Sequence, residues 1–133
     1  MVKNADDLRG LLIQLDRRFD QADDGTFLVS VGAGQAPVAL LIAHPVLVAQ
    51  VGVGPAPKGD TELAAKVFRQ LLEHNAIDLL HASYALEGDD IVLSAALELE
   101  SLDMNELEAV LADIGMAMSS HVSGLKAMIE QKV

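Results

Sequence analysis

Side chains that could support catalysis or bind a metal are few in this sequence. There are four histidines, His44, His74, His81 and His121, and there is no cysteine, which excludes disulfides, thiolate metal sites and a cysteine nucleophile. A predicted helix end separates His74 from His81, and no acidic residue shares a helical face with both at metal-ligand spacing. Ser120 and His121 are neighbours in a predicted helix, so they point in different directions and cannot form a nucleophile–base pair. We therefore expect no catalytic residue, no cofactor and no metal.

Two loops resemble ligand-binding motifs only in part. The loop that begins at Asp20 has Ala22 and Val31 where a calcium-binding EF-hand needs an oxygen ligand and a glutamate. In the Gly32-Ala33-Gly34 segment, Pro37 takes the place of the third glycine of a dinucleotide fingerprint. A strand follows that segment, so no helix N-terminus would be available to a phosphate group. Both loops are predicted to be ordinary connections.

The amino-acid composition argues against several further classes of protein. The chain has 133 residues, which predicts one domain over residues 1–133, and its 51% hydrophobic content excludes a disordered protein. A net charge of −11 and an aromatic content of 3% argue against nucleic-acid binding. Residues 1–7 lack the apolar region of a signal peptide, and the most apolar window, Val38 to Val53, is too short to span a bilayer. We expect a cytoplasmic protein without membrane insertion.

Thr26 to Pro57 contains no Asp, Glu, Lys or Arg. Within it, Phe27–Val31, Val38–Ala43 and Val46–Val53 are aliphatic and β-branched, which predicts three strands with little or no solvated face. A chain of this size has limited material to cover both sides of such a sheet. The uncovered side is therefore a candidate surface for a second copy or for a client chain.

Helices are predicted before and after this apolar stretch. In the first helix Asn4 is the N-cap, and the segment Asp23-Asp24-Gly25 ends it. Its apolar face comprises Leu8, Leu11, Leu12, Leu15 and Phe19. Asp60 or Thr61 caps the second helix, which should run to about His74-Asn75 because asparagine is a common helix terminator. Gly52–Pro57 is predicted to end the third strand and to form a stiff linker before that helix.

The C-terminal half is predicted to contain a hairpin and one long helix. The hairpin strands are His81–Leu86 and Ile91–Leu99, joined by a Gly88-Asp89 turn. Asp103 and Glu106 form a capping-box pattern, after which apolar residues recur at helical spacing as far as Ile129. The predicted order is α-β-β-β-α-β-β-α. This is an α+β fold with two layers, an antiparallel sheet and helices.

Part of this pattern resembles a known family. The segments that carry the resemblance are Phe68–Asn75, Tyr84–Gly88, Ile91–Ala95 and Leu97–Asp103, followed by Glu106, Leu107 and Leu111. They are similar to the CesT/Tir type III secretion chaperones, the class I group whose members escort individual effectors. The YbjN-like proteins, which have no secretion role, share this fold and much of the pattern.

The resemblance implies a homodimer that holds an extended segment of an effector on its surface. Its dimer contact would come from the second helix and the strand after it, here Val67, Phe68, Leu71, Leu72, Leu80 and Tyr84. Its client-binding surface would use the first helix and the uncharged sheet, here Leu8, Leu12, Leu15, Val29, Val31, Leu40 and Ile42.

Two other functions are compatible with the sequence. A protein of this fold can act as a regulator that sequesters another protein, and the sequence does not separate that role from a chaperone role. A small-molecule binder or enzyme would need polar groups within the apolar stretch, where only Ser30, Gln35, His44 and Gln50 are available.

Overall fold

The computed structural model describes residues 2–130, which form four helices and one antiparallel sheet. The helices are α1 (Ala5–Gln14), α2 (Glu62–Ile77), α3 (Met104–Ser120) and α4 (Val122–Glu130). The strands are β1 (Phe19–Gln21), β2 (Phe27–Val29), β3 (Val38–Ala43), β4 (Val46–Pro55), β5 (Ser83–Glu87) and β6 (Asp90–Glu98). They lie in the order β1-β2-β3-β4-β6-β5, so β1 and β5 are the edges. None of the helices in this range is long and apolar enough to span a membrane.

Side-chain caps start three of the helices at the predicted positions. The Asn4 side chain accepts a hydrogen bond from the Asp7 N–H at 3.0 Å, at the start of α1. Thr61 accepts from the Ala64 N–H at 3.1 Å before α2. Asp103 accepts from the Glu106 N–H at 2.8 Å before α3. These local signals are confirmed because a cap depends only on residues three positions apart.

The sheet is asymmetric across its two faces. On β2 and β4, fully buried residues such as Phe27, Val29, Leu47 and Ala49 alternate with partly exposed ones. The buried row joins apolar residues of all four helices in one hydrophobic core. The other row is only half-covered, and Leu41 on β3 is 47% exposed. The sequence therefore predicted β2, β3 and β4, and this half-covered row agrees with the expectation that one side of the sheet lacks cover.

The first helix is shorter than predicted. It ends at Gln14, and Asp16 adopts a left-handed backbone with a φ of 58°. Phe19, which was assigned to the helical face, instead begins edge strand β1 and pairs with Val29. Its ring meets Phe27 edge-on with centroids 5.8 Å apart. Pairing with β2 thus outweighs a helical periodicity that could have continued, and it adds a strand to the predicted order.

Three further boundaries differ from the prediction. The last helix breaks at His121 into α3 and α4. Strand β4 continues to Pro55 through a register shift between Gly52 and Gly54, because β6 is long enough to pair with it throughout. Helix α2 extends to Ile77, so Asn75 does not end it. The α+β class with an antiparallel sheet is confirmed, and the order gains β1 and α4.

An ion pair ties the segment after α1 to α3. Arg17 donates to both carboxylate oxygens of Glu108, at 2.6 and 3.0 Å, and to the Ser30 carbonyl at 3.2 Å. Hydrogen bonding and charge from Arg17 hold the pKa of Glu108 below its ordinary value of 4.5, although partial burial opposes this. The ionised carboxylate is therefore favoured by folding.

We expect Glu108→Gln to reduce the free energy of unfolding at pH 7 by less than about 1 kcal/mol, since the carboxylate is partly exposed. A lowered folded-state pKa gives a contribution that is complete above the unfolded-state pKa and lost as pH falls through the folded-state pKa. In urea titrations the difference between variant and wild type should therefore shrink as pH falls and vanish once Glu108 is protonated in the folded protein. An exposed-residue control, Glu100→Gln, should show no such pH-dependent difference. A Glu108→Gln penalty that persists at low pH would contradict the ion-pair explanation.

Candidate functional site

A groove opens between the start of α1 and strand β3. Leu8, Phe27 and Leu40 form its floor, and each is at most 1% exposed. Ile42 lines the same groove and is only partly buried. The cavity is about 320 Å³ in volume. A groove with an apolar floor and an open top can accept side chains of another polypeptide without any change in the core.

The groove continues into a second depression. The neighbouring cavity, of about 250 Å³, includes Val2, Pro45 and Leu99. Lys3 and His44 line both cavities, which places the two side by side along the β3–β4 hairpin. Together they form the candidate client groove. Two adjoining depressions can take separate side chains of one extended segment.

Polar groups mark the rim of the client groove. Lys3, Asn4, Asp24 and His44 line the first cavity together with its apolar floor. The Thr26 N–H donates to Asp24 at 3.0 Å and lowers the pKa of that carboxyl below its ordinary value. One rim position is therefore an ionised acid at neutral pH, and Lys3 provides a cation nearby.

The structure separates the predicted client-binding residues into two groups. Leu8, Leu12, Val29 and Leu40 are fully buried. The others are partly exposed, and these are Leu15, Val31 and Ile42. Three of the seven line the client groove, namely Leu8, Leu40 and Ile42. Phe27 and Leu41 also line it and were not selected from the sequence, because strand alternation alone does not tell which face borders a groove.

A second candidate surface lies on α2, the loop after it and edge strand β5. Four large apolar side chains there are exposed: Leu72 by 67%, Ile77 by 75%, Leu80 by 84% and Leu86 by 52%. We refer to these four residues as the α2–β5 patch. Exposed apolar residues grouped on adjoining elements are typical of protein–protein contacts.

The predicted dimer residues are divided between this patch and the core. Leu72 and Leu80 belong to the α2–β5 patch. Val67, Leu71 and Tyr84 are at most 5% exposed and pack inside the protein, and Phe68 is partly buried. Ile77 and Leu86 were not selected, although both are exposed. The helical spacing of apolar residues identified buried positions of α2 but missed the exposed Ile77.

The Asn75 side chain binds the backbone of strand β5 and does not end helix α2. Its side-chain nitrogen donates to the Tyr84 carbonyl at 3.1 Å, and its oxygen accepts from the Tyr84 N–H at 2.7 Å. This amide therefore occupies both backbone groups of one residue on edge strand β5. Edge strands otherwise offer such groups to a pairing chain. Strand addition to β5 is thus blocked at its second residue.

Asp113 is a buried acid on α3 that sequence inspection did not select. Its carboxylate accepts backbone N–H bonds from Leu80 at 3.2 Å, His81 at 2.9 Å and Ala82 at 2.8 Å. The residue is 8% exposed. It holds the loop between α2 and β5 in place, and the exposed Leu80 of the α2–β5 patch is in that loop.

A histidine cluster lies where α2 meets the break between α3 and α4. The rings of His74 and His121 stack with centroids 3.7 Å apart, and His74 Nδ1 is 2.8 Å from Asp78 Oδ2. The Tyr84 hydroxyl is 3.2 Å from His121 Nδ1. Burial, and then the neighbouring His74, lower the pKa of His121, while burial and the charges of Asp78 and Asp113 raise that of Tyr84.

The sequence alone could have indicated two of the clustered residues. His74 and Asp78 are four residues apart on one helix, which is spacing that places them on one face. His81, the nearest histidine to His74 in the sequence, is exposed and lies outside the cluster. His121 is far from His74 in the sequence and contacts it only in the folded protein, so no local pattern could have paired the two residues.

The comparisons with known proteins identify the family. The CesT_Tir_1 family model matches residues 1–131. The chain belongs to the CesT_Tir_1 family. This confirms the resemblance seen in the sequence. None of the curated proteins matches the chain significantly.

Solved structures share the fold of this CesT_Tir_1 member at low sequence identity. A chain of the heterodimeric ExoU–SpcU complex from the type III secretion system of Pseudomonas aeruginosa is 20% identical, with a TM-score of 0.64 over 91% of this chain and 96% of that one. YbjN from E. coli is 15% identical, with a TM-score of 0.64 over 96% and 92%. The Yersinia pestis type III secretion chaperone SycH, solved with a fragment of YscM2, is 20% identical, with a TM-score of 0.55 over 84% and 95%.

Proposed function

We propose that this protein is a cytoplasmic chaperone that binds, as a homodimer, an extended and partly apolar segment of a secreted effector. The single observation that carries the proposal is the client groove in a protein of the CesT_Tir_1 family. Two solved relatives in fold are complexes of type III secretion proteins, ExoU–SpcU and SycH with YscM2. The family and the fold point to a binding protein rather than to an enzyme.

The groove favours a client in extended conformation. Side chains of an extended segment alternate in direction, so every second one can pack on the apolar floor formed by Leu8, Phe27 and Leu40. Because Asn75 already occupies the Tyr84 backbone groups, the client would not gain affinity by adding a strand to β5. Apolar contacts in the groove would therefore supply most of the affinity.

The high acidity of the chain is consistent with this role. Its net charge of −11 keeps a protein with exposed apolar residues soluble, since molecules of like charge repel each other. Because charge is not the main source of attraction in the groove, raised salt should weaken client binding only modestly.

The proposal is tested with Ile42→Asp. Ile42 lines the groove on the same face of β3 as Leu40 and is only partly buried, so the fold should survive while a carboxylate is placed where an apolar side chain must bind. Partners are first captured from the native cell and identified by mass spectrometry. Peptides from a captured effector are then titrated by fluorescence anisotropy. We expect Ile42→Asp to lose binding.

Ile13→Asp is the matched control, because Ile13 is 62% exposed on α1 and does not line the groove. Its affinity for the peptide should equal that of the wild type. Leu12→Asp is unsuitable, since Leu12 is fully buried and its replacement would unfold the core. An Ile42→Asp variant that keeps its circular dichroism spectrum and still binds as tightly would refute the groove assignment.

A second candidate is a binding protein of the same fold that sequesters a regulator and has no secretion role. The match to YbjN favours it, because that structure has the same TM-score as the ExoU–SpcU chain and covers more of this sequence. The identity of the captured partner distinguishes the two. A partner that is exported by the cell supports the chaperone, and a partner that stays in the cytoplasm supports the regulator.

A further inference from the structure

Two imidazoles and one carboxylate converge between α2 and the α3–α4 break. The donor atoms of His74, Asp78 and His121 lie within 4.8 Å of one another. Asp78 Oδ2 is 2.8 Å from His74 Nδ1 and 3.7 Å from His121 Nε2. Neighbouring ligand atoms around a tetrahedral zinc ion are about 3.3–3.5 Å apart. We propose that His74, Asp78 and His121 bind one divalent transition metal ion, with Zn²⁺ as the best match.

On each ring, the nitrogen that does not face Asp78 contacts a neighbouring side chain. The Tyr84 hydroxyl contacts His121 Nδ1 at 3.2 Å, which leaves Nε2 facing Asp78. Gln70 contacts His74 Nε2 at 3.1 Å, which leaves Nδ1 facing Asp78. Metal-binding histidines generally use their second nitrogen in this way, because an outer partner fixes both ring orientation and tautomer. Binding at His74 Nδ1 requires Nε2 to carry the proton. The Gln70 atom at 3.1 Å from Nε2 is its amide nitrogen, so this amide must turn over and accept a hydrogen bond from Nε2–H through its oxygen.

The donor set excludes the hard cations. Ca²⁺ and Mg²⁺ prefer six or more oxygen ligands, and here one carboxylate accompanies two nitrogens. Zn²⁺ accepts this set, and three protein ligands leave a fourth position for water. A cleft of about 290 Å³ runs beside His74 and His121 and is also lined by Gln70, Ser120 and Met128. The Asp78 side chain is itself 43% exposed, so an ion and its water can reach the carboxylate from solvent.

Metal binding requires a local change in the rings. They are nearly parallel, with an interplanar angle of 14°, whereas a ligated ion lies close to the plane of each ring. Each ring must therefore turn about its side-chain torsion while the backbone stays in place. The bound ion would join α2 to the residue at which α3 and α4 meet, which holds α4 against α2. This inference replaces the expectation of no metal and is independent of the proposed chaperone role.

The wild-type protein provides the first test, with Zn²⁺ alone as the probe. After dialysis against EDTA, the ring nitrogens of the four histidines are followed by ¹H–¹⁵N NMR during a zinc titration. We expect the His74 and His121 resonances to shift together and to saturate at one equivalent. The exposed His44 and His81 serve as internal controls and should not move at that ratio. Zinc saturation without movement of the His74 and His121 resonances, or no binding at all, would overturn the proposal.

Calorimetry with variants provides the second test. His74→Gln/His121→Gln should lose zinc binding, and His81→Gln should bind as the wild type does. Tyr84→Phe removes only the outer partner of His121, so its dissociation constant should rise about 10- to 100-fold. Mg²⁺ should produce no heat of binding with any of them. Equal zinc affinity in His74→Gln/His121→Gln and His81→Gln would refute the site. Because the NMR test uses wild-type protein, it stands even where a variant unfolds.

Discussion

Asp113→Ala is expected to reduce the free energy of unfolding by about 2–4 kcal/mol. The Asp113 carboxylate accepts N–H bonds from three consecutive residues, Leu80 to Ala82, and is itself 8% exposed. Charge-assisted hydrogen bonds of this kind are about twice as strong as neutral ones. Alanine would leave the Ala82 N–H buried without an acceptor and would free the loop from α3. Urea denaturation at pH 7 measures the loss.

Two further variants test whether the loss of stability comes from the charge of Asp113 and from its buried contacts. Asp113→Asn keeps the size and one acceptor oxygen but removes the charge, so its loss should be smaller than that of alanine. Asp89→Ala changes an exposed acid in the β5–β6 turn and should stay within about 0.5 kcal/mol of the wild type. If Asp113→Ala is as stable as Asp89→Ala, the backbone contacts do not hold the loop.

Asp113 illustrates what the sequence could not provide. Its partners are more than 30 positions earlier in the chain, and an aspartate in an amphipathic helix is ordinarily a solvent-facing residue. By contrast, the caps formed by Asn4, Thr61 and Asp103 involve only residues three positions away. Features that depend on neighbours in sequence were predicted, and features that depend on neighbours in space were not.

The same distinction explains the errors in the fold. Phe19 continued a helical spacing of leucines, and only its pairing with Val29 reveals a strand. The helix predicted through Ile129 breaks at His121, and the ring of this residue stacks on His74 from another helix. Asn75 was taken as a helix terminator on local grounds, yet its amide faces Tyr84 on β5. In each case a tertiary contact outweighs a valid local preference.

For the two candidate surfaces, the sequence could not separate apolar residues of the core from exposed ones. Leu8 and Ile42 do line the client groove, although the apolar pattern could not show that Leu8 is its floor. On α2, Leu71 and Leu72 are adjacent leucines, but one is 5% exposed and the other 67%. Core positions and interface positions both use apolar residues, so only the structure shows which of them are buried.

Leu72→Asp/Leu80→Asp is expected to convert the proposed homodimer into monomers. Both side chains belong to the α2–β5 patch and are largely exposed in the single chain, so the fold should tolerate the change. In a dimer with two-fold symmetry each substitution occurs twice in the same interface. Burying an unpaired carboxylate costs several kcal/mol, so the dimer dissociation constant should rise more than about 100-fold.

Light scattering during size-exclusion chromatography measures this result. The wild type should have twice the 14.1 kDa mass of the chain at micromolar concentration, and the double variant should have the mass of one chain. Ile13→Asp, which changes an equally exposed apolar residue on α1, should remain dimeric. Leu71→Asp would not distinguish the interface from the core, because Leu71 packs inside the monomer. A wild type of single-chain mass would refute the homodimer, and a double variant that stays dimeric would place the interface elsewhere.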